Sequence, residues 1–402
     1  MNSSKLLVCN ITGRLLKLAI FWVAASSFAN EPVIIPEAPG VAAEAWLLMD
    51  ASTSKELVEH NSQLRLPPAS LTKIMTSYVA ASELENGGIK LDDEVLVSVE
   101  SWKKEGSRMF IQEGTRVSVE DLIRGIVIQS GNDASVALAE HIAGSEELFV
   151  DVMNQQADLL GMTDTHFMNA TGLPDENHYT SARDLAKLTV ALINNFPEHY
   201  KIYSEKSFTY NNISQRNRNS LLFRDNTVDG VKTGYTSASG YSLVTSSRRE
   251  DMRLITVVLG ATSESSRANE SQKLLTYGFR YFETVPLYRK NESLKKVRVW
   301  GGTDNSIDLG LAEDIVITLP RGARNSLEAS TIIRNNEIHA PLRVGQELGT
   351  LTVRMGDSGE INEYPVVALD KINSAGFFSR LWESIQLFFL KLFGGDPLAL
   401  EG

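Results

Sequence analysis

Apolar positions change period repeatedly along this chain, and each change marks an element. Trp46-Leu47-Leu48-Met49 and the stretch after Ser54 read as a strand pair. Pro67 and Pro68 then discourage helix, and beyond them Leu71, Ile74, Met75, Tyr78 and Val79 recur at helical spacing. That spacing predicts a buried helix with Ser70 in its first turn. Ser118-x-x-Asp121 resembles a helix start leading through Leu122, Ile123 and Ile126 to Ser130. Gly131 is expected to break that helix, and Asn132-Asp133 to cap the next, over residues 134–142, so that Ser130 and Asn132 share a helix-to-helix loop. Ser145 with Glu146 and Glu147 starts a helix ending near Gly161, and residues 184–194 make one more. After Gly240, residues 241–245 and 254–259 are β-rich runs joined by the charged tip Arg248-Arg249-Glu250-Asp251, a hairpin. Strands at both ends of a helical middle imply an antiparallel sheet closed by the first and last segments, with the helices clustered beside it, an α+β plan.

The pattern shifts after Phe282-Glu283-Thr284. Short alternating runs follow, among them Val297-Arg298-Val299-Trp300, residues 315–319 and residues 351–355, punctuated by glycines and prolines. They predict a small all-β domain, a β-sandwich over residues 286–370, behind a larger domain over residues 30–285. In the last segment, 371–402, Phe377, Phe378, Leu381, Trp382, Ile385, Phe388, Phe389 and Leu392 follow helical spacing, with Ser379, Arg380, Glu383 and Gln386 largely opposite. Charges interrupt the run and Gly394-Gly395 end it, so a helix lying in the plane of a membrane surface fits better than a span, which needs about 20 mostly apolar residues. A terminal helix packed on the protein's own core is the other reading.

At the opposite end, Lys5, Arg14 and Lys17 precede an apolar run from Leu18 to Ala25, and Ser27 and Ala29 flank Phe28. This predicts a signal peptide over residues 1–29, cleaved after Ala29, and an exported protein; a signal anchor is the competing reading. The one cysteine, Cys9, falls in the removed segment and lies before the apolar run, which argues against lipid attachment. Without cysteine the mature chain has no disulfide, thiol nucleophile or thiolate metal site. A net charge of −11 with no Lys/Arg-rich run makes nucleic acid an improbable partner. No metal or cofactor is expected.

Candidate chemistry comes from three short motifs in order: Ser70-Leu71-Thr72-Lys73, Ser130-Gly131-Asn132 and Lys232-Thr233-Gly234. Each alone is weak. Ser-x-x-Lys also occurs at Ser52/Lys55, Ser101/Lys104 and Ser293/Lys296, in polar stretches that read as surface. Only Ser70 begins an apolar helix, where Lys73 returns to the same side one turn later. Together the three specify an active-site serine acyltransferase acting on peptides that end in a carboxylate. The histidines, including His141, His166 and His178, are scattered, so Lys73 is the better candidate base. It can accept a proton only if burial and a second cation, for which Lys232 is the candidate, depress its pKa.

With these residues in view, the chain resembles the low-molecular-mass penicillin-binding proteins, specifically the D-alanyl-D-alanine carboxypeptidases that share their fold with serine β-lactamases. Supporting text includes Asp229-Gly230-Val231-Lys232-Thr233-Gly234-Tyr235-Thr236 and Phe167-Met168-Asn169-Ala170-Thr171-Gly172-Leu173-Pro174. The resemblance implies that Ser70 attacks the penultimate D-alanine carbonyl, with Lys73 as general base and Ser130 relaying a proton to the leaving amine. Asn132 would hold Lys73 and the substrate backbone; Lys232, Thr233 and Arg267 would bind the terminal carboxylate. Gly234 would let the substrate pair with its strand, and the backbone N–H groups of Ser70 and Tyr235 would form the oxyanion hole. For Arg267 a surface salt bridge at the head of a helix is the alternative. Implied partners are peptidoglycan stem peptides, β-lactam antibiotics as covalent inhibitors and the periplasmic face of the inner membrane. Many members carry His after Lys-Thr-Gly where this chain has Tyr235, a change that bears on rate and pH dependence. No Glu-x-x-Leu-Asn segment lies between Ser130 and Lys232, which disfavours a β-lactamase. A catalytically slow penicillin-binding or scaffold protein of cell-wall assembly is the remaining alternative.

Overall fold

The computed structural model describes residues 34–356, 359 and 361–400. The predicted leader, its cleavage point after Ala29 and Cys9 lie outside those residues.

Strands β1 (Ala45–Asp50) and β2 (Lys55–His60) are the first elements among the described residues, a pair as predicted. A single 3-10 turn, Ala69–Thr72, runs straight into α1 (Lys73–Asn86). A small hairpin, β3 (Glu94–Leu96) with β4 (Arg116–Ser118), brackets α2 (Val99–Lys103). The helical cluster continues with α3 (Val119–Arg124), α4 (Asn132–Ala143), α5 (Glu146–Leu159), α6 (Ala182–Asn195) and α7 (Pro197–Tyr200). A second hairpin follows, β5 (Ser207–Tyr210) with β6 (Ile213–Arg216), and then β7 (Val228–Thr236), β8 (Gly240–Arg249), β9 (Met252–Ala261) and α8 (Glu264–Tyr281). Helix starts are fixed by short polar side chains: Ser118, Ser145 and Ser181 each accept a hydrogen bond from the backbone N–H three residues on.

The main sheet has the order β2-β1-β9-β8-β7, antiparallel throughout, so the first and last strands of the domain meet at its centre. Side chains of a strand alternate between faces, and here both faces are buried. Leu47, Met49, Ile255 and Val257 join Leu71, Ile74 and Met75 in the core shared with the helical cluster. Trp46, Leu48, Leu254 and Val258 meet Leu274 and Leu275 of α8 on the other side. Strand β7 is left at the sheet's edge, beside the 3-10 turn that carries Ser70.

Helix α8 passes into β10 (Phe282–Tyr288) without a linker. Beyond it come β11 (Ser293–Arg298), β12 (Ser306–Leu311), β13 (Ile315–Pro320), β14 (Leu327–Ile333), β15 (Glu347–Met355) and β16 (Ile361–Ala368). A two-stranded sheet, β10-β13, and a five-stranded one, β11-β12-β16-β15-β14, enclose a separate apolar core that includes Val285, Val297, Leu309, Ile317, Leu351 and Val366. The buried carboxylate of Asp50, at the end of β1, joins this unit to the main sheet by accepting hydrogen bonds from Thr284 and, at 2.7 Å, Thr318.

Helix α9 (Phe377–Leu392) lies against the all-β unit by its polar side. Glu383 is buried and accepts from the Gly301 N–H at 2.5 Å, Lys391 pairs with Glu337, and Leu387 is also covered. Phe378, Leu381, Trp382, Phe388 and Leu392 face outward, each at least half exposed. No helix among the described residues is long and apolar enough to cross a membrane.

Candidate active site

The three motifs converge on one cleft of about 490 Å³, lined by Ser70, Ser130, Asn132, Arg218, Thr233, Gly234, Tyr235 and Arg267 among others. Ser70 sits in the 3-10 turn, preceded by Ala69 in the left-handed region at φ 49°. Two glycines leave room for that turn. A Cβ on Gly172 would stand 1.8 Å from the Ala69 carbonyl oxygen, and one on Gly234 3.1 Å from that of Pro68. Gly234 is therefore needed first for the approach of the nucleophile turn to the edge strand, a packing reason beside the substrate-side one read from the sequence.

Lys73, the first residue of α1, is buried. Its Nζ lies 3.3 Å from Ser70 Oγ, donates to Asn132 Oδ1 at 2.6 Å and donates to the main-chain carbonyl of Thr171. None of these acceptors is charged. Burial, and after it the Arg218 guanidinium, lowers the Lys73 pKa to about 7, against an opposing pull from Asp133 and Glu146. Burial is the cause expected from the sequence; the cation that acts on Lys73 after it is Arg218, at the solvent-exposed rim of the cleft, and not the expected Lys232. The coupling is visible on the other amine: Lys232 is held well below the usual lysine range by burial first and then by Lys73, Arg218 and Arg267. Arg218 follows a polar hairpin, and no motif spacing marks it.

Ser130 and Asn132 arrive differently from the expected loop. After α3 the chain makes one π-helical turn, Gly125–Gln129, and stops at Ser130, whose φ of 69° is left-handed. Ser130 thus ends the helix, and Gly131 is the extended residue that begins the next. Such π turns recur at functional sites because they turn a side chain out of register. Asn132 is the first helical residue of α4 and does not cap it; its amide bridges Lys73 and, at 2.5 Å, the Glu105 carbonyl. Asp133 accepts from the backbone N–H groups of Met109 and Phe110, both at 2.8 Å, and so ties the neighbouring loop to the helix instead of capping it. Ser130 Oγ is buried with no hydrogen-bond partner in the structure. A buried hydroxyl left unsatisfied at a cleft wall is a group prepared for a ligand.

Arg267, in the first turns of α8, is buried, donates to the Gly234 carbonyl at 3.0 Å and stands over the Tyr241 ring. Its contact with Glu264 is longer, 3.6 Å, so the surface-salt-bridge reading does not describe it. Thr233 is buried on the edge strand, and Tyr235 packs against Tyr241 with ring centroids 4.3 Å apart and the planes tilted by 31°. Of the other Ser-x-x-Lys pairs, Ser52 and Ser293 are exposed as expected. Ser101 is not: it is fully buried, where its hydroxyl and N–H satisfy the Ser98 cap of α2, and Lys104 pairs with Glu146 at 2.6 Å. The polar stretch misled there because α2 packs against α4, which covers Ser101 although its neighbours in sequence are polar.

A serine beside a buried, low-pKa lysine, with a free hydroxyl and a cationic pocket opposite, defines a serine acyl-transfer enzyme for carboxylate-ended substrates. Comparison with known proteins narrows the class. A family model described as D-alanyl-D-alanine carboxypeptidase matches residues 33–263, and one for the penicillin-binding protein 5 C-terminal domain matches 282–374. The chain is 44% identical to D-alanyl-D-alanine carboxypeptidase DacC of Escherichia coli, over 93% of this chain and 95% of that one. Penicillin-binding protein 5 from Haemophilus influenzae superposes with a TM-score of 0.79 at 40% identity, covering 84% of this chain and all of that one. Penicillin-binding protein D2 from Listeria monocytogenes, solved with ampicillin bound, matches at TM-score 0.56 and 28% identity over 61% of this chain and all of its own. The chain belongs to the D-alanyl-D-alanine carboxypeptidase family and is a serine-type enzyme of that activity within the penicillin-binding proteins.

Proposed function

We propose that the enzyme removes the terminal D-alanine of peptidoglycan pentapeptide stems through an acyl-enzyme on Ser70. The observation that carries this reading is Lys73 Nζ, 3.3 Å from Ser70 Oγ with a pKa near neutrality and only neutral acceptors around it. In its amine form Lys73 takes the Ser70 proton as Oγ bonds to the penultimate D-alanine carbonyl carbon. The N–H groups of Ser70 and Tyr235 receive the oxyanion. Ser130 passes its proton to the departing D-alanine nitrogen as the amide bond breaks and takes the proton held by Lys73 in return, and water then hydrolyses the ester and restores Ser70. Lys232, Thr233 and Arg267 hold the terminal carboxylate, with Arg218 adding positive potential at the rim. A penicillin enters by the same attack and stays as the acyl group. Among the described residues Glu264 is the single carboxylate lining the cleft, exposed and beside Arg267, and the segment after α5 offers Lys73 a carbonyl and not an acid. That favours slow deacylation over β-lactamase turnover.

The chain is read as exported after cleavage at Ala29, with residues 30–285 as catalytic domain, 286–370 as all-β domain and 371–402 as anchor and tail. The outward apolar face of α9 supports a peripheral seat on the outer surface of the cytoplasmic membrane. The deciding assay is D-alanine release from a pentapeptide ending in D-Ala-D-Ala, run beside covalent penicillin labelling. Release and labelling that both survive in Ser70→Ala would sink the assignment.

A further inference from the structure

Lys73 is held from two sides, and one of them lies outside the three motifs. The second acceptor of its amine, the Thr171 carbonyl, belongs to a turn in which one side chain, Asn169, takes most of the backbone donors. Asn169 Oδ1 accepts from the N–H groups of Thr171 at 3.1 Å, Gly172 at 2.7 Å and Leu173 at 3.2 Å, and from Thr171 Oγ1 at 2.8 Å. Its Nδ2 donates to the Leu173 carbonyl at 3.0 Å and to His178 Nδ1 at 3.3 Å. Three backbone donors around one atom fix the amide orientation, since only the oxygen can accept. The tautomer of His178 follows. Its Nδ1 must accept from the amide, so its proton sits on Nε2, which donates to Thr72 Oγ1 at 2.9 Å. Thr72 lies between Ser70 and Lys73, and Thr72, His178 and Thr171 are all buried. The ring of contacts therefore starts and ends at the nucleophile turn.

We propose that Asn169 is a positioning residue for Lys73, which rests on the reading of Lys73 as general base. By orienting the Thr171 carbonyl it engages one N–H of the amine, with Asn132 engaging another, and leaves the lone pair for Ser70. The same carbonyl favours the ammonium form, so Asn169 also sets where Lys73 titrates. The other groups facing Lys73 are Ser70 from its own turn, Asn132 and Asp133 from α4, Glu146 from α5, His178, and the cations Arg218 and Lys232. None of these is replaced in the variants that test the idea.

The experiment is the rate of acylation by a fluorescent penicillin across acid to basic pH, in the full chain, for Asn169→Ala and Asn169→Asp beside Lys73→Ala. Total label gives the folded, competent fraction. Asn169→Ala should lower the plateau rate by about 10²-fold, the scale of a small displacement at a reacting group, and move the rising limb to lower pH as the ammonium loses an acceptor. Asn169→Asp keeps the acceptor for the turn and adds a carboxylate near Lys73, so its limb should move to higher pH with much of the plateau retained. Opposite shifts are the signature. Variants that lose only competent fraction, with an unmoved limb, would reduce Asn169 to a structural part and overturn the proposal. If Asn169→Ala does not fold, the direction of the Asn169→Asp limb decides alone. Lys73→Ala separates the two ideas: wild-type acylation there removes the base and the proposal with it, whereas an inert Lys73→Ala beside unaltered Asn169 variants overturns the proposal only.

Discussion

Two regions of this molecule invert the usual distribution of side chains, in opposite senses. The cleft buries charge: Lys73, Lys232 and Arg267 are each at most 5% exposed, and of the three only Arg267 has an ion-pair partner among the described residues, the exposed Glu264 at 3.6 Å. Helix α9 exposes hydrocarbon: Phe378 is 82% exposed, while Glu383 is the charged side chain tucked in. Both arrangements cost folding free energy that an ordinary core and surface would not. On the proposed reading the cleft would recover part of it when a substrate carboxylate arrives, and α9 when a lipid surface covers it. Burying charge and exposing hydrocarbon would then be two marks of a missing partner, one a small anion and the other an apolar boundary.

Removing the nucleophile tests the cleft side most severely. Ser70→Ala should fold and bind but lose D-alanine release on the order of 10⁶-fold, the scale seen when a serine hydrolase loses its nucleophile. Next in size is Lys73→Met, for which general-base loss predicts a fall in acylation of about 10²–10⁴-fold, measured by penicillin labelling. In the native enzyme acylation should rise with pH through about 7, as Lys73 becomes the amine. The same variant sharpens the argument on cost. Between about 7 and the ordinary 10.5, the unfolded chain holds a proton that folded Lys73 does not, so this group makes stability rise with pH across that window. Below it the folded state carries the buried ammonium. Lys73→Met should therefore melt higher than wild type at neutral and mildly acidic pH; an unchanged or lower melt would show that the cleft is not strained by its charge.

On the α9 side, Leu381→Glu with Phe388→Glu should weaken binding to lipid vesicles while soluble-peptide turnover stays unchanged. Each large side chain withheld from lipid is worth about 2 kcal/mol, roughly 30-fold in partitioning. Retained vesicle binding would mean that the exposed face is not the anchor. The smallest effect belongs to Glu383→Ala, which leaves the Gly301 N–H without its acceptor and should destabilise the all-β unit by about 1–3 kcal/mol in chemical denaturation, with kcat untouched.

What was legible in the sequence was whatever depends on neighbours along the chain. The period of Leu71, Ile74, Met75, Tyr78 and Val79 gave α1, the alternation of residues 315–319 and 351–355 gave strands of the all-β unit, and Ser118 and Ser145 gave helix starts, because backbone geometry converts spacing directly into a face or a cap. The order of the three motifs sufficed for the class of chemistry, since it supplies a nucleophile, a base and a carboxylate-binding cation; that these meet in one cleft was for the fold to decide. Other features were set by segments that meet only in space. Arg218 reaches the cleft from an unremarkable hairpin, the Thr171 carbonyl becomes a ligand of Lys73 through Asn169, and Ser130 rather than Gly131 ends its helix because a π turn shifts the register. Burial of Ser101 and the inward turn of Glu383 belong with them. Long-range contacts carry no local period, and desolvation, which moves Lys73 furthest, depends on how many distant atoms close over a group; neither is written at the residue where it acts.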